Sequence, residues 1–482
     1  ALFLQGPPTV FWTELAAEFE AQGHAALRVN LSTADRLMWR RPGAADYRGT
    51  LSGWRAWIAA HLERERITDV LYYADRLPYH VIAAEEADRL GIPCHAVEFG
   101  YLRPDWLTLE RRGMGAFSHF PDDPDAIRAI AAAARAQETD AELETRHGHS
   151  FVREARDELL FNLANALFCW PYPFYQMDKR YHALTDYVGW IPKLLRVGAR
   201  DRHAEKVEAR YLSGEAPFHL VALQVESDYQ LRDNAPYDSL REAIDQIVAS
   251  FARHAGPAQR LLFKLHPLDN GLENWPRAVA RAAAALGLGD RVDHIDGGAL
   301  DALIAQAEGV VSVNSTVGLH AIRALRPTLA LGAVVYDMPG LTHQGPLARF
   351  WTAPEPVDPE LAEDFALALA ASAQVKGSFY EPTGRARAKA EIVARVAEGR
   401  VNALGAFVPV PPAPAGAPAR SGPDRGLSAG LSAGRGRGRD APPRPSDQLR
   451  SLISRKVAAA GVSTEAKTRN TFWALAKSAL AT

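Results

Sequence analysis

Hydrophobic and polar positions alternate between two periods along the first hundred residues. Leu2-Phe3-Leu4 is a short apolar run broken by Gln5-Gly6-Pro7-Pro8, and residues 11–22 then carry helical spacing that stops before Gly23-His24. Residues 26–31 alternate as a strand. Residues 54–65 predict a helix, 68–73 a strand, 79–90 a helix and 92–97 another strand. Strands alternating with helices imply a parallel sheet covered on both faces.

The pattern changes at Asp122-Asp123-Pro124-Asp125, where acidic residues and a proline precede an alanine-rich run, a helix start. Residues 126–135, 141 onward and 151–166 read mainly as helices, and 183–200 as helix in pieces interrupted by Gly189 and Pro192. A second alternating region follows. Its strands are expected at 219–224, 260–265, 292–295, 309–313 and 327–331, with helices at 240–254, 275–286, 358–371 and 387–398.

Two such α/β regions predict a GT-B-like fold: two Rossmann-like domains with the ligand in the cleft between them, near the carboxyl ends of the strands. The expected division is an acceptor-side domain with a helical insertion at 1–205, a nucleotide-sugar-binding domain at 206–408, and a low-complexity linker with short terminal helices at 409–482. Two fused domains of unrelated function are the alternative. The tail holds Pro411-Pro412-Ala413-Pro414 and Gly434-Arg435-Gly436-Arg437, which cannot bury much apolar surface, so a disordered basic segment is expected there. Its arginines and Phe472-Trp473 suggest contact with an anionic membrane surface, against the plainer reading of a solubilising extension.

A net charge of -2 gives no whole-protein field for nucleic acid, so none is expected as a partner. Two cysteines, Cys94 and Cys169, are too few for a disulfide framework or a thiolate metal site and read as buried free thiols in a reducing compartment. No apolar run is long enough to span a bilayer, and the first residues lack the basic flank of a signal peptide. There is no GxGxxG fingerprint, no P-loop and no metal motif.

Three polar groups stand at expected strand ends. In Glu98-Phe99-Gly100-Tyr101-Leu102-Arg103-Pro104-Asp105-Trp106, Glu98 offers a base or nucleophile and Arg103 a partner for carboxylate or phosphate. A surface loop holding a Glu–Arg pair is the plainer reading. In Lys264-Leu265-His266-Pro267, two groups of one strand parity can neutralise a departing phosphate, and His266 can also donate a proton. In Ser312-Val313-Asn314-Ser315-Thr316-Val317-Gly318, hydroxyls precede a helix, where they cap it or bind phosphate. Gln5 and Gly6 can approach substrate at the first strand–helix turn, and Gln224 can line the cleft.

Taken in this order, with Phe3-Leu4-Gln5-Gly6-Pro7, Phe11-Trp12, Thr108-Leu109-Glu110, Asn30, Asp35, Trp39, Tyr47, Trp54 and Trp57, these groups resemble the KpsS family of capsule polysaccharide proteins. The resemblance implies a β-Kdo glycosyltransferase. Such an enzyme moves Kdo from CMP-β-Kdo to a phosphatidylglycerol-type lipid, peripherally at the cytoplasmic face of the inner membrane, and starts the capsule linker. It implies no cofactor and no required metal, and capsule assembly or export machinery as possible company. Enzymes using CMP-sialic acid share an acidic-acidic-Gly turn, a His-Pro pair and a Ser/Thr pair. Here the second acidic position is Phe99, while His266-Pro267 and Ser315-Thr316 match the nucleotide phosphate elements. The expected catalytic residues are Glu98, Asp105 and His266. Gln5, Gly6, Arg103, Lys264, Ser312, Asn314, Ser315 and Thr316 are expected to bind substrate. Retention from a β-linked donor would need a carboxylate nucleophile, with Glu98 the first choice. Another CMP-sugar transferase, or a non-catalytic assembly subunit, would be the rival readings.

Overall fold

The computed structural model describes residues 1–137, 143, 147, 151–178, 183–227, 231 and 235–412. The tail expected to be a basic linker with terminal helices, beyond 412, and the helix expected from Ala141 lie outside the described residues.

The first sheet has seven strands: β1 (Leu2–Phe3), β2 (Leu27–Asn30), β3 (Ala44–Asp46), β4 (Val70–Tyr73), β5 (Cys94–Phe99), β6 (Trp106–Arg111) and a late strand, β12 (Gln374–Lys376). They lie in the order β12-β6-β5-β4-β1-β2-β3. From β5 to β3 neighbours run parallel, whereas β6 and β12 are antiparallel additions. Side-chain parity explains the covering on both faces. Leu2, Val70, Tyr72 and Ala96 enter one apolar cluster, while Phe3, Leu71, Val97 and Leu109 enter another.

The second sheet holds β7 (Phe218–Ala222), β8 (Arg260–Lys264), β9 (Val292–Ile295), β10 (Gly309–Ser312) and β11 (Thr328–Ala330). It is parallel throughout, in the order β11-β10-β7-β8-β9. Val221, Phe263 and Val311 pack on one face, and Leu220, Leu262 and Val310 on the other. The molecule is thus α/β with two parallel-sheet units, the GT-B-like arrangement.

Sheet membership crosses the division expected along the chain. Residues 374–376 follow the second sheet in sequence, yet they pair with β6 in the first: Gln374 opposite Thr108, Val375 opposite Leu107, Lys376 opposite Trp106. The helix before β12, Pro359–Ser372, packs on the helix Pro124–Ala136, and the helix after it, Pro382–Ala397, packs on Phe11–Ala21. The helical stretch after 183 forms two helices, Ala183–Leu195 and Val197–Leu212; the break falls at Arg196, because Pro192 is accommodated inside the first and Gly189 meets Leu272 closely. Cys94 is buried as expected. Cys169 is exposed, because the chain leaves the helix Phe151–Leu167 along the surface.

Candidate active site

In each sheet the strand order reverses at one point, and a ligand crevice belongs outside the strand ends there. In the second sheet that point lies between β7 and β10. Gln224 and Asn314 follow those two strands and bind each other. The Gln224 amide donates to Asn314 Oδ1 at 2.7 Å, and the Asn314 backbone N–H donates to Gln224 Oε1 at 3.2 Å. Beside them Tyr336 donates its hydroxyl to the Ser315 carbonyl, and the Ser315 hydroxyl accepts from Val317 N–H at 3.2 Å. Thr316 is the residue before the helix Val317–Arg323 and makes no side-chain cap. Ser315 and Thr316 are half-buried. Ser312 is fully buried within β10, so it does not present its hydroxyl to a ligand.

His266 follows β8. Its Nδ1 accepts the Leu268 backbone N–H at 3.1 Å, which leaves the ring proton on Nε2. Burial, then the charges of Arg103, Lys193 and Lys264, hold its pKa down to about 4, with Glu154 opposing. At neutral pH the ring is therefore uncharged. In that state Nε2–H is the ring's hydrogen-bond donor. Arg103 and Glu154 act on His266 from β5–β6 and from the helix Phe151–Leu167, so the cleft brings these elements together. Arg103 also acts on His320 of the second unit and stacks over Phe99 at 5.1 Å. Lys264 is buried, its pKa lowered by that burial, and donates to the Gly297 carbonyl.

Lys193, Glu154, Tyr73 and Tyr380 were not singled out in the sequence. Lys193 donates to the carbonyls of Pro267 (3.3 Å) and Asp269 (2.6 Å), and so grips the His266 turn. Tyr73 is half-buried and hydrogen-bonded to Glu98, and Tyr380 lies within reach of the charges of Glu154 and Glu98. Burial first, and these carboxylates next, raise both phenols well above the ordinary range. The only sequence signal was position: Tyr73 ends β4 beside β5, and Lys193 lay in a helix whose packing partner was not visible.

Glu98 is the penultimate residue of β5, half-buried, with Oε1 accepting the Phe99 N–H at 3.0 Å. The turn after it is clamped by β12. Gln374 Oε1 accepts Tyr101 N–H at 2.8 Å, and its amide donates to Thr108 Oγ1 at 3.0 Å. A Cβ on Gly100 would stand 2.5 Å from the Trp106 carbonyl oxygen, which is why the position needs glycine. Asp105 is only 1% exposed. It pairs with Lys376 Nζ at 2.9 Å and accepts the His147 N–H at 3.0 Å, while its carbonyl accepts Gly377 N–H. This carboxylate secures the turn from inside and has no open approach to a substrate, whereas Glu98 is half-buried.

Gln5 and Gly6 also take inward places. Gln5 is buried and bonded to the Tyr175 hydroxyl, and Gly6 lies under the Trp12 indole, where a Cβ would come within 2.5 Å. Among the described residues no group of His, Cys, Asp and Glu is placed to hold a metal ion, and no helix is long and apolar enough to cross a membrane.

A family model described as capsule polysaccharide biosynthesis protein matches residues 68–380, a span from just before β4 to Tyr380. The chain belongs to this family. Relatives agree over most of its length. The capsule polysaccharide export protein KpsS of Escherichia coli is 28% identical over 384 residues, 79% of this chain and 96% of that protein. The capsule polysaccharide modification protein LipB of Neisseria meningitidis serogroup B is 30% identical over 389 residues, 79% of this chain and 91% of that one. Among solved structures, the β-Kdo 2,7 transferase of Thermosulfurimonas dismutans KpsC covers 83% of this chain and 99% of its own, at 14% identity and a TM-score of 0.38. The KpsS resemblance expected from the motifs is thereby shown.

Proposed function

We propose that this protein transfers Kdo from CMP-β-Kdo to a phosphatidylglycerol-type lipid, starting the capsule linker. The observation that carries the reading is that Arg103 and Glu154 of the first unit lie within the field of His266 on the second, while Glu154 and Glu98 both lie within the field of Tyr73 and Tyr380. The donor's glycosidic bond leaves one phosphate charge behind. His266 Nε2–H, Lys264 and the half-buried Ser315 and Thr316 supply donors for that charge as it develops. Arg103 offers a planar partner to the sugar carboxylate. Glu98 attacks the anomeric carbon as CMP departs, and the lipid hydroxyl then displaces the Glu98 carboxylate and releases its proton to solvent, so that two inversions retain the configuration.

The capsule relatives KpsS and LipB support the pathway, and the site residues support the CMP-sugar chemistry. Mass spectrometry after incubation with CMP-Kdo and no acceptor is expected to find one Kdo on the Glu98 peptide and none in Glu98→Gln. An adduct persisting in Glu98→Gln would remove Glu98 from this role. Competition among defined CMP-sugars tests the donor: release of CMP from CMP-sialic acid in preference to CMP-Kdo would overturn the Kdo assignment.

A further inference from the structure

We propose that the first unit docks on an anionic phospholipid bilayer through the segment 153–174, with a lipid phosphate seated in an arginine-lined cavity at its edge. The helix Phe151–Leu167 carries Arg153, Arg156, Leu160 and Leu167 at spacings of three, four and seven, which place them along one stripe. The cavity is about 580 Å³ and is lined by Arg40, Arg153, Arg156 and Arg385, with Leu160 and Tyr380 among its apolar walls. Four guanidinium groups face one carboxylate in that lining, Asp157, which pairs with Arg156 at 2.6 Å. Arg385 is also paired, with Glu14 at 3.2 Å, so arginines outnumber the carboxylates of the lining without forming a bare cationic cluster, and planar guanidinium groups suit the oxygens of a phosphodiester.

Apolar side chains continue from the cavity along the surface. Leu160 is 52% exposed, Leu167 62%, Phe168 54%, Trp170 77% and Phe174 54%. Large exposed aromatics gathered in one short segment mark an interaction surface. Beside an arginine-lined cavity, that surface has the two parts a bilayer rewards: charge for the headgroups, and Trp, Phe and Leu for the interface. The segment is held firmly enough to present them. Asn165 Oδ1 accepts Ala34 N–H at 2.9 Å, and Tyr172 donates to Asp46 at 2.7 Å. Tyr380 lines the cavity and also lies within the field of Glu98, so a lipid bound there would stand beside the candidate site. That last step rests on the transferase reading, whereas docking itself does not.

The test is co-sedimentation of the full chain, without any donor, with vesicles of phosphatidylcholine containing phosphatidylglycerol or of phosphatidylcholine alone. The expected result is binding to the anionic vesicles, weakened about tenfold or more in Phe168→Ser/Trp170→Ser and likewise in Arg153→Gln/Arg156→Gln, and much weaker binding to neutral vesicles. Unchanged binding of both variants, or equal binding to neutral vesicles, would overturn the proposal. As a measurement free of folding effects, brominated phosphatidylglycerol should quench tryptophan emission of the wild-type chain, and Trp170→Phe should lose most of that quenching. Equal quenching of the two would also overturn it. Because no sugar donor is present, a failed docking test leaves the transferase reading to its own experiment.

Discussion

Replacing Asp105 by Asn separates a structural carboxylate from a catalytic one. The Asp105–Lys376 pair is almost fully withdrawn from solvent and closes at 2.9 Å. At an effective dielectric near 20, two unit charges at that distance attract by roughly 6 kcal/mol before desolvation is counted. Desolvation offsets much of that gain, but losing one partner leaves the other charge buried and uncompensated, and such losses cost about 3–5 kcal/mol. Global stability is typically only about 5–15 kcal/mol, so Asp105→Asn should lower the urea midpoint sharply. Lys376→Met should cost a comparable amount, because it strands the Asp105 carboxylate, and the double variant should recover much of the loss, since no lone charge stays inside. A urea-melting double-mutant cycle, with sugar transfer measured below the transition, checks this. A folded Asp105→Asn as stable as wild type yet inactive would refute the reasoning and return Asp105 to the chemistry.

Gly100→Ala should destabilise by about 1–3 kcal/mol and reduce transfer, because its Cβ would press on the Trp106 carbonyl and the Gln374 amide; thermal melts and initial rates read both effects. His266→Phe should cut kcat about 10²- to 10³-fold, as expected for a lost hydrogen-bond donor, while His266→Asn should keep part of the rate. His80 and His219 are both fully buried with pKa values held down to about 4 by burial. The unfolded chain binds these protons near pH 6.5, so it takes them up first as pH falls. Stability should be full above about 6.5 and decline towards 4, by roughly 3 kcal/mol at most per histidine. Denaturation midpoints from pH 7.5 to 4.5 check this, and a flat profile would contradict it.

The long elements were legible because periodicity and burial agree in them. The strand at Arg260–Lys264 and the helix at Leu240–His254 fall where their apolar positions predict. The strand at Trp106–Arg111 was missed because its polar positions, Thr108 and Glu110, are wholly buried, so its alternation does not look like an exposed face. Glu110 is raised to about 7 by burial and is met by Tyr101 and Ser118. β12 was missed for a related reason: three residues, two of them polar, that make sense only against Tyr101, Thr108 and Asp105 far back in the chain. The site was legible where strand ends coincide with polar clusters, at Glu98, His266 and Ser315. It was not legible where a residue acts through tertiary contact, as Lys193 does at the His266 turn, or where a polar residue turns inward, as Asp105, Ser312 and Gln5 do.

The most direct test of the central claim is the mass of the product formed from CMP-Kdo and a short-chain phosphatidylglycerol by the purified chain. The account predicts one added Kdo per lipid with an equal release of CMP. Unmodified lipid, from folded protein supplied with active CMP-Kdo, would contradict it.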